Sequence, residues 1–134
     1  MNTVLKDELA NNIYSYWGYS SEKIDICLVL LNYIASNNSK YLTHLTYASL
    51  HRIAGLAYRN KDILLVVDYL CKSKVKLLNS NLEYIGGEGN MPSLIDVDKD
   101  TKELIHRETG EVITNMSNVF SYFTLTDMAK SLSK

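Results

Sequence analysis

The sequence has little of what marks the unusual classes of protein. Its 134 residues include one proline and two cysteines, and they contain no internal repeat. No apolar run approaches the roughly 18 residues that would cross a bilayer. Charged residues make up 22% of the chain and apolar residues 46%, a balance that excludes an extended disordered chain. We therefore expect one folded domain over residues 1–134, with no membrane partner.

Two further absences bear on the cellular compartment. Residues 1–8 lack the basic start and apolar core of a signal peptide, which predicts a cytoplasmic location. Cys27 and Cys71 lie inside apolar helical runs and form no Cys-x-x-Cys pair. We therefore expect two buried free thiols, as in a reducing compartment.

Three aspartates have the spacing that opens a calcium-binding loop. Asp96, Asp98 and Asp100 alternate with other residues, as the first ligands of such a loop do. The loop also needs glycine at its sixth position and glutamate at its twelfth, where this chain has Thr101 and Arg107. The pattern is therefore more typical of a solvated strand edge and turn, and no metal is predicted.

Motifs of other catalytic or cofactor sites are also missing. His44 and His51 have no cysteine near them in sequence that would complete a zinc site. Residues 86–89, Gly-Gly-Glu-Gly, predict a loop but lack the Gly-Lys-Ser/Thr ending that binds phosphate. No serine or cysteine stands in a nucleophile motif. We predict a protein that is not an enzyme and holds no cofactor.

The first 39 residues predict two helices. The first, over residues 1–18, ends at Gly18 and has one apolar stripe at a spacing of four, formed by Leu5, Leu9, Ile13 and Trp17. This stripe packs either on its own domain or against a second copy, which makes a homodimer one hypothesis. A second helix begins at Ser20-Ser21-Glu22 and stops before the polar loop at residues 36–39.

Residues 45–85 have the pattern of a helix-turn-helix followed by a strand. Thr46 is a candidate N-cap for a short helix through Ala54, and Gly55 supplies a turn. A longer helix then runs from about residue 60 to 73, with inward positions at Ile63, Val66, Val67 and Leu70. An extended segment follows over residues 75–85, broken by a turn signal at Asn79-Ser80-Asn81.

This order resembles that of the winged-helix regulators of bacteria and archaea, including MarR-like proteins. The matching pieces are Leu45-Thr46, Leu50, Ala54-Gly55-Leu56, Ile63-x-x-Val66-Val67-x-x-Leu70 and Val75-x-x-Leu78. A distant second match, residues 122–132, resembles the last wing strand, whose terminal Leu-Thr caps the next helix. The resemblance implies a mostly helical α+β fold, a winged helix-turn-helix with an extra N-terminal helix. Its core is residues 21–78, its strand and wing residues 79–125, and its C-terminal helix residues 126–134.

The chain departs from the family in its wing. About ten to fifteen residues form a minimal wing in that family, whereas residues 79–121 intervene here. Residues 94–98 and 104–107 alternate at period two, and Glu108-Thr109-Gly110-Glu111 predicts a hairpin turn into Val112. We therefore expect an enlarged wing that contains an extra hairpin.

Charge is unevenly distributed along a chain whose net charge is −1. Residues 40–78 contain seven lysines and arginines against two acids, a net charge of +5, whereas residues 79–114 have a net charge of −5. The resemblance implies binding of double-stranded DNA and transcriptional regulation, and the basic segment suits phosphate contacts. The candidate DNA-contacting residues are Thr46, Tyr47, Ser49, Arg59, Asn60, Lys61, Lys72, Lys74 and Lys76.

The same helix also favours an alternative, a protein-interaction module that acts as an adaptor, an inhibitor or a complex subunit. If its inward positions face the core, Leu64, Leu65 and Asp68 face outward, where a DNA reader normally has polar or basic residues. An exposed apolar patch suits a protein partner. The remaining alternative is that the N-terminal helix covers the two leucines.

Overall fold

The computed structural model describes residues 3–18, 21–86 and 92–133. Within these ranges the chain is an α+β protein of helices and one antiparallel sheet, as predicted at that level. The helices are α1 Thr3–Trp17, α2 Ser21–Ser36, α3 Tyr47–Ala54, α4 Asn60–Lys72 and α5 Asp127–Leu132. The strands are β1 Leu78–Tyr84, β2 Ser93–Val97, β3 Leu104–His106 and β4 Val119–Leu125. The sheet has the strand order β3-β2-β1-β4.

The chain divides into two compact units, of which the larger comprises Met1–Asn79 and Phe123–Lys134. Its core takes apolar side chains from every one of the five helices, because each helix carries a stripe at helical spacing. The largest fully buried side chains of this unit are Ile13, Ile26, Leu30, Leu31, Val66, Val67, Leu70, Val75, Leu77, Leu78, Phe123 and Leu132. The inward positions predicted for α4 are therefore confirmed.

The smaller unit is Ser80–Tyr122. Its strands β2 and β3 form an antiparallel hairpin, in which Asp96 is paired with Ile105. The Asp96 Oδ1 accepts hydrogen bonds of 2.9 and 2.8 Å from Nε and Nη2 of Arg107, so one carboxylate oxygen holds the guanidinium. The predicted turn into Val112 is present, and Val112 bridges to Ile105. Of the loop predicted at residues 86–89, residues 87–89 lie outside the described ranges.

The turn predicted at Asn79-Ser80-Asn81 is wrong. β1 runs without a break from Leu78 to Tyr84, through all three of these residues. It lies between β2 and β4 in the sheet, and its register with β2 pairs Glu83 with Leu94 and Tyr84 with Ser93. Sheet pairing of this kind overrides the local preference of asparagine and serine for turns.

Helix boundaries in the larger unit follow the predicted caps. Thr46 caps α3, and Gly55 ends it. Thr126 caps α5 by accepting a hydrogen bond of 3.2 Å from the Ala129 amide. Of the two cysteines, Cys27 is buried, but Cys71 is only partly buried, because it lies at the end of α4 and not in its core stripe.

Candidate functional site

The helix α3 is positioned by a capping box at its start. The Thr46 hydroxyl oxygen accepts a hydrogen bond of 3.1 Å from the Ser49 amide, and the Ser49 hydroxyl oxygen accepts one of 2.8 Å from the Thr46 amide. The Ser49 hydroxyl also donates to the Thr46 carbonyl at 2.9 Å. Both hydroxyls belong to predicted DNA-contacting residues, and both are hydrogen-bonded at the start of the helix.

The turn between α3 and α4 requires the glycine at position 55. Gly55 has a φ of 131°, a backbone conformation that side-chain-bearing residues rarely adopt, and its amide donates to the His51 carbonyl. The His51 ring nitrogen Nε2 lies 2.8 Å from the Tyr58 carbonyl oxygen, which ties the end of the turn back to α3. Leu56, between them, is 72% exposed. The turn therefore presents an apolar side chain to solvent.

A buried carboxylate fixes the start of α4. The Asp62 side chain is 1% exposed and lies 3.6 Å from Nζ of Lys23 on α2, and it accepts a hydrogen bond of 3.2 Å from Nε of Arg59. Burial acts to raise the pKa of Asp62, but the hydrogen bond from Arg59 and the charges of Arg59 and Lys23 outweigh it and hold that pKa below its ordinary value. Asp62 thus stays ionised and joins α4 to α2.

The outer face of α4 consists of Asn60, Lys61, Leu64, Leu65, Asp68 and Lys72, all exposed. Leu64 is 48% exposed and Leu65 42%, which confirms that both face outward. The alternative that the N-terminal helix covers them is wrong. The Asp68 carboxylate lies 2.8 Å from Nζ of Lys72, and this hydrogen bond raises the pKa of Lys72. One acid and one base of this face therefore neutralise each other.

An apolar groove lies between α3 and α4. It has a volume of about 560 Å³ and is lined by Tyr47, Ala48, His51, Arg52, Leu56, Asn60, Ile63 and Leu64. We call this surface the α3–α4 groove. None of these lining residues is acidic, and the only formal positive charge among them is that of Arg52. Arg52 is exposed, so the apolar lining has a positive charge in contact with water.

The predicted DNA-contacting residues divide into two groups. In the first, side chains already serve the fold: Thr46 and Ser49 form the capping box, Arg59 and Lys72 form ion pairs, and the Tyr47 ring packs edge-to-face on Phe123 at 5.0 Å between centroids. In the second group, the side chains extend into solvent. This group consists of Asn60, Lys61, Lys74 and Lys76.

The stripe offered for dimerisation packs on the chain's own core. Leu9 and Ile13 are buried, while Leu5 and Trp17 are partly buried against the same cluster. The Trp17 ring lies 5.2 Å from that of Tyr69 on α4, in an edge-on arrangement. Of the two alternatives for α1, the structure shows packing on its own domain. The hypothesis that these four side chains form a dimer interface is therefore corrected.

The aspartate triplet in the smaller unit is engaged in local structure. Asp98 Oδ1 accepts hydrogen bonds from the amides of Asp100 and Thr101, which closes a turn and holds the pKa of Asp98 below its ordinary value. Asp96 is bound to Arg107. Among the described residues, no three His, Cys, Asp or Glu side chains are grouped so as to hold a metal ion.

Among the residues of this site that sequence reasoning missed are Leu56, Arg52 and Asp62. Leu56 follows the turn glycine and belongs to no helical stripe, so helical periodicity does not predict which way it faces. The one sequence signal for its exposure is that it is an isolated leucine in a turn. Asp62 reads as an ordinary acid in the first turn of a helix. Its burial depends on Lys23, which is 39 residues earlier in the chain.

Comparisons of the chain with protein-family models, with curated proteins and with solved structures find no match. In the ranges that the structure describes, no helix is long and apolar enough to cross a membrane.

Proposed function

We propose that this chain is a winged-helix protein-interaction module that binds a partner protein with its α3–α4 groove and the outer face of α4. The winged-helix assignment is supported by element order: two helices joined at Gly55, a strand after the second helix, and a last strand whose Thr126 caps the final helix. The strand and enlarged wing of that assignment, residues 79–125, include the whole of the smaller unit.

The observation that carries the protein-binding proposal is the exposure of three leucines on one surface. Leu56, Leu64 and Leu65 are 72%, 48% and 42% exposed, and two of them line the α3–α4 groove. When a partner buries contiguous apolar surface, the complex is stabilised by about 25 cal/mol for each Å² removed from water. Such patches mark interaction surfaces on otherwise polar proteins.

The same surface is poorly suited to reading DNA. In a helix-turn-helix the outer face of the second helix enters the major groove, where polar side chains bind base edges. Here that face has two leucines, beside which polar base edges would lose water without gaining a hydrogen-bond partner, and its Asp68–Lys72 pair adds no net positive charge. Arg59 and Lys72, the cations expected to offset this, are each paired with an acid.

DNA binding is retained as a second candidate because seven of the nine predicted contact residues are exposed, among them the four of the second group described above. Asn60 and Lys61 begin α4, the end of a reading helix that enters DNA, and Lys74 and Lys76 follow its other end. On this candidate, random duplex DNA is shifted at low salt, and Lys74→Ala weakens the shift for every sequence alike.

Site-specific photo-crosslinking tests the proposal. A benzophenone side chain is placed at Leu65 in the full chain, which is expressed in its own host and irradiated. We expect a protein adduct that disappears when Leu64→Asp is added. The matched control places the crosslinker at Lys130, an exposed position on α5, where no such adduct is expected.

The folded state of the variants has to be checked in parallel. Leu64→Asp should unfold at the temperature of the wild type, because Leu64 is exposed, whereas Val67→Asp should not fold, because Val67 is fully buried. Equal adducts at residues 65 and 130 would overturn the proposal. So would a low-salt DNA shift that Lys61→Ala abolishes while no protein adduct forms at residue 65.

A further inference from the structure

We infer that the α3–α4 groove binds an acidic amphipathic helix of the partner protein; this inference rests on the proposed function and specifies the chemistry of the partner. Apolar side chains make up most of the groove walls: Tyr47, Ala48, Leu56, Ile63 and Leu64. Walls of this kind bind the apolar face of a helix, which inserts side chains at positions i, i+3 or i+4, and i+7.

The dimensions of the groove favour a helix over a small molecule. The eight residues of α3 extend over about 12 Å, which matches about two turns of a bound helix. A volume of about 560 Å³ also falls within the range of small-ligand pockets, but those sites bury most of their ligand. Here Leu56 is largely open to solvent and Leu64 is about half exposed. A bound helix covers both leucines with its own apolar stripe, whereas a small ligand leaves them wet.

The charges around the groove select an acidic partner. Arg52 lies in the groove wall, and Lys61 lies one turn before Leu64 and Leu65 on the same face of α4. The two acids of α4 are already compensated, because Asp62 is buried against Lys23 and Arg59, and Asp68 is paired with Lys72. The groove edge is therefore positive, and carboxylates that flank an apolar stripe complement it.

Two synthetic helices test this inference directly. Both are fluorescein-labelled peptides of about 18 residues, since shorter isolated helices are only marginally formed. Both carry leucine at i, i+3, i+4 and i+7; one has glutamate and the other lysine at the flanking positions, and circular dichroism matches their helicity. Binding to the full chain is measured by fluorescence anisotropy, and the bound surface is located by amide chemical-shift changes.

We expect the glutamate peptide to bind about tenfold or more tightly than the lysine peptide, with shifts at Ala48, Leu56 and Leu64. Arg52→Glu combined with Lys61→Glu should reverse this preference, and Leu64→Asp should abolish binding of both peptides. The matched control Lys130→Glu, which changes charge on α5, should leave both affinities unchanged. Added salt should weaken binding of the glutamate peptide more than binding of the lysine peptide.

Three outcomes would each overturn the inference. The two peptides could bind with equal affinity, neither could bind at millimolar concentration, or the chemical-shift changes could be confined to residues outside the groove. The crosslinking experiment separates this failure from that of the proposed function. If Leu64→Asp abolishes the protein adduct at residue 65 while the double charge reversal preserves it, the interaction module stands and its partner is not acidic. If the chain with benzophenone at residue 65 and no other change forms no protein adduct, the proposed function itself is overturned.

Discussion

The Arg59 guanidinium donates a hydrogen bond of 3.2 Å to the Asp62 carboxylate, which is buried, whereas the arginine is exposed. Lys23 approaches the other oxygen of the same carboxylate at 3.6 Å. The cation that the sequence predicted to contact DNA therefore compensates a buried charge at the start of α4. Since a buried carboxylate without partners is strongly unfavourable, Arg59 serves the fold before it serves any ligand.

Replacing Asp62 by asparagine should make stability less dependent on pH. The pKa of Asp62 is lowered in the folded state from its value of 3.8. Its ionised form therefore contributes stability that is fully present above that value and is lost as the pH falls through the lower, folded-state pKa. Asp62→Asn should be clearly less stable than the wild type at pH 7, and the gap should shrink below about pH 4.

Urea unfolding followed by Trp17 fluorescence measures this difference, because the chain has a single tryptophan. Asp7→Asn, a change of the same kind on the exposed side of α1, is the matched control and should follow the wild type throughout. An Asp62→Asn variant that matches the wild type at pH 7 would contradict the role given to the buried carboxylate.

The regular elements could be predicted because their signals are local. The stripe of α1, the Thr46 cap and the Gly55 turn each depend on residues within a few positions of one another, and all three are present. β1 was misjudged at Asn79-Ser80-Asn81 because a central strand is stabilised by neighbours that are distant in sequence.

The α3–α4 groove could be predicted only in part. Leu64 was assigned outward from the helical period, as the structure confirms. Leu56 and Arg52 join it only when the Gly55 turn brings α3 against α4, and no sequence period contains that geometry. The pairing of Arg59 with Asp62 was equally hidden, because the sequence does not tell which acid is buried.

Removing the Thr46 hydroxyl should destabilise the chain by about 1 kcal/mol, because α3 loses its capping box. Thr46→Ala leaves the Ser49 amide without its acceptor, whereas Thr46→Ser preserves the hydroxyl and should restore most of the loss. Chemical denaturation measures both variants. If Thr46→Ala keeps full stability yet loses affinity for DNA, the hydroxyl has the phosphate-binding role that sequence alone suggested.

The two thiols should react at very different rates. Burial raises the pKa of Cys27 to about 12 from 9.0, so at neutral pH its thiolate is roughly a thousandfold scarcer than that of an unperturbed cysteine. Burial and the charge of Asp68 also raise the pKa of Cys71, which is partly accessible. With iodoacetamide at pH 7, intact mass should therefore record one slow adduct, at Cys71, and a second only in urea. The Cys71→Ser variant isolates Cys27, and its rapid labelling in the folded state would contradict this burial.

Truncating Ile13 should lower stability without changing oligomeric state. Ile13 is fully buried in the core of its own chain, so Ile13→Ala should cost about 2–5 kcal/mol of unfolding free energy through lost burial and a residual cavity. Its neighbour Tyr14 is more than half exposed, and Tyr14→Ala should change stability by no more than about 0.5 kcal/mol. Urea unfolding gives the free energies, and sedimentation of both variants beside the wild type gives the oligomeric state. An Ile13→Ala chain that is as stable as the wild type but sediments as a smaller species would return the α1 stripe to a dimer interface.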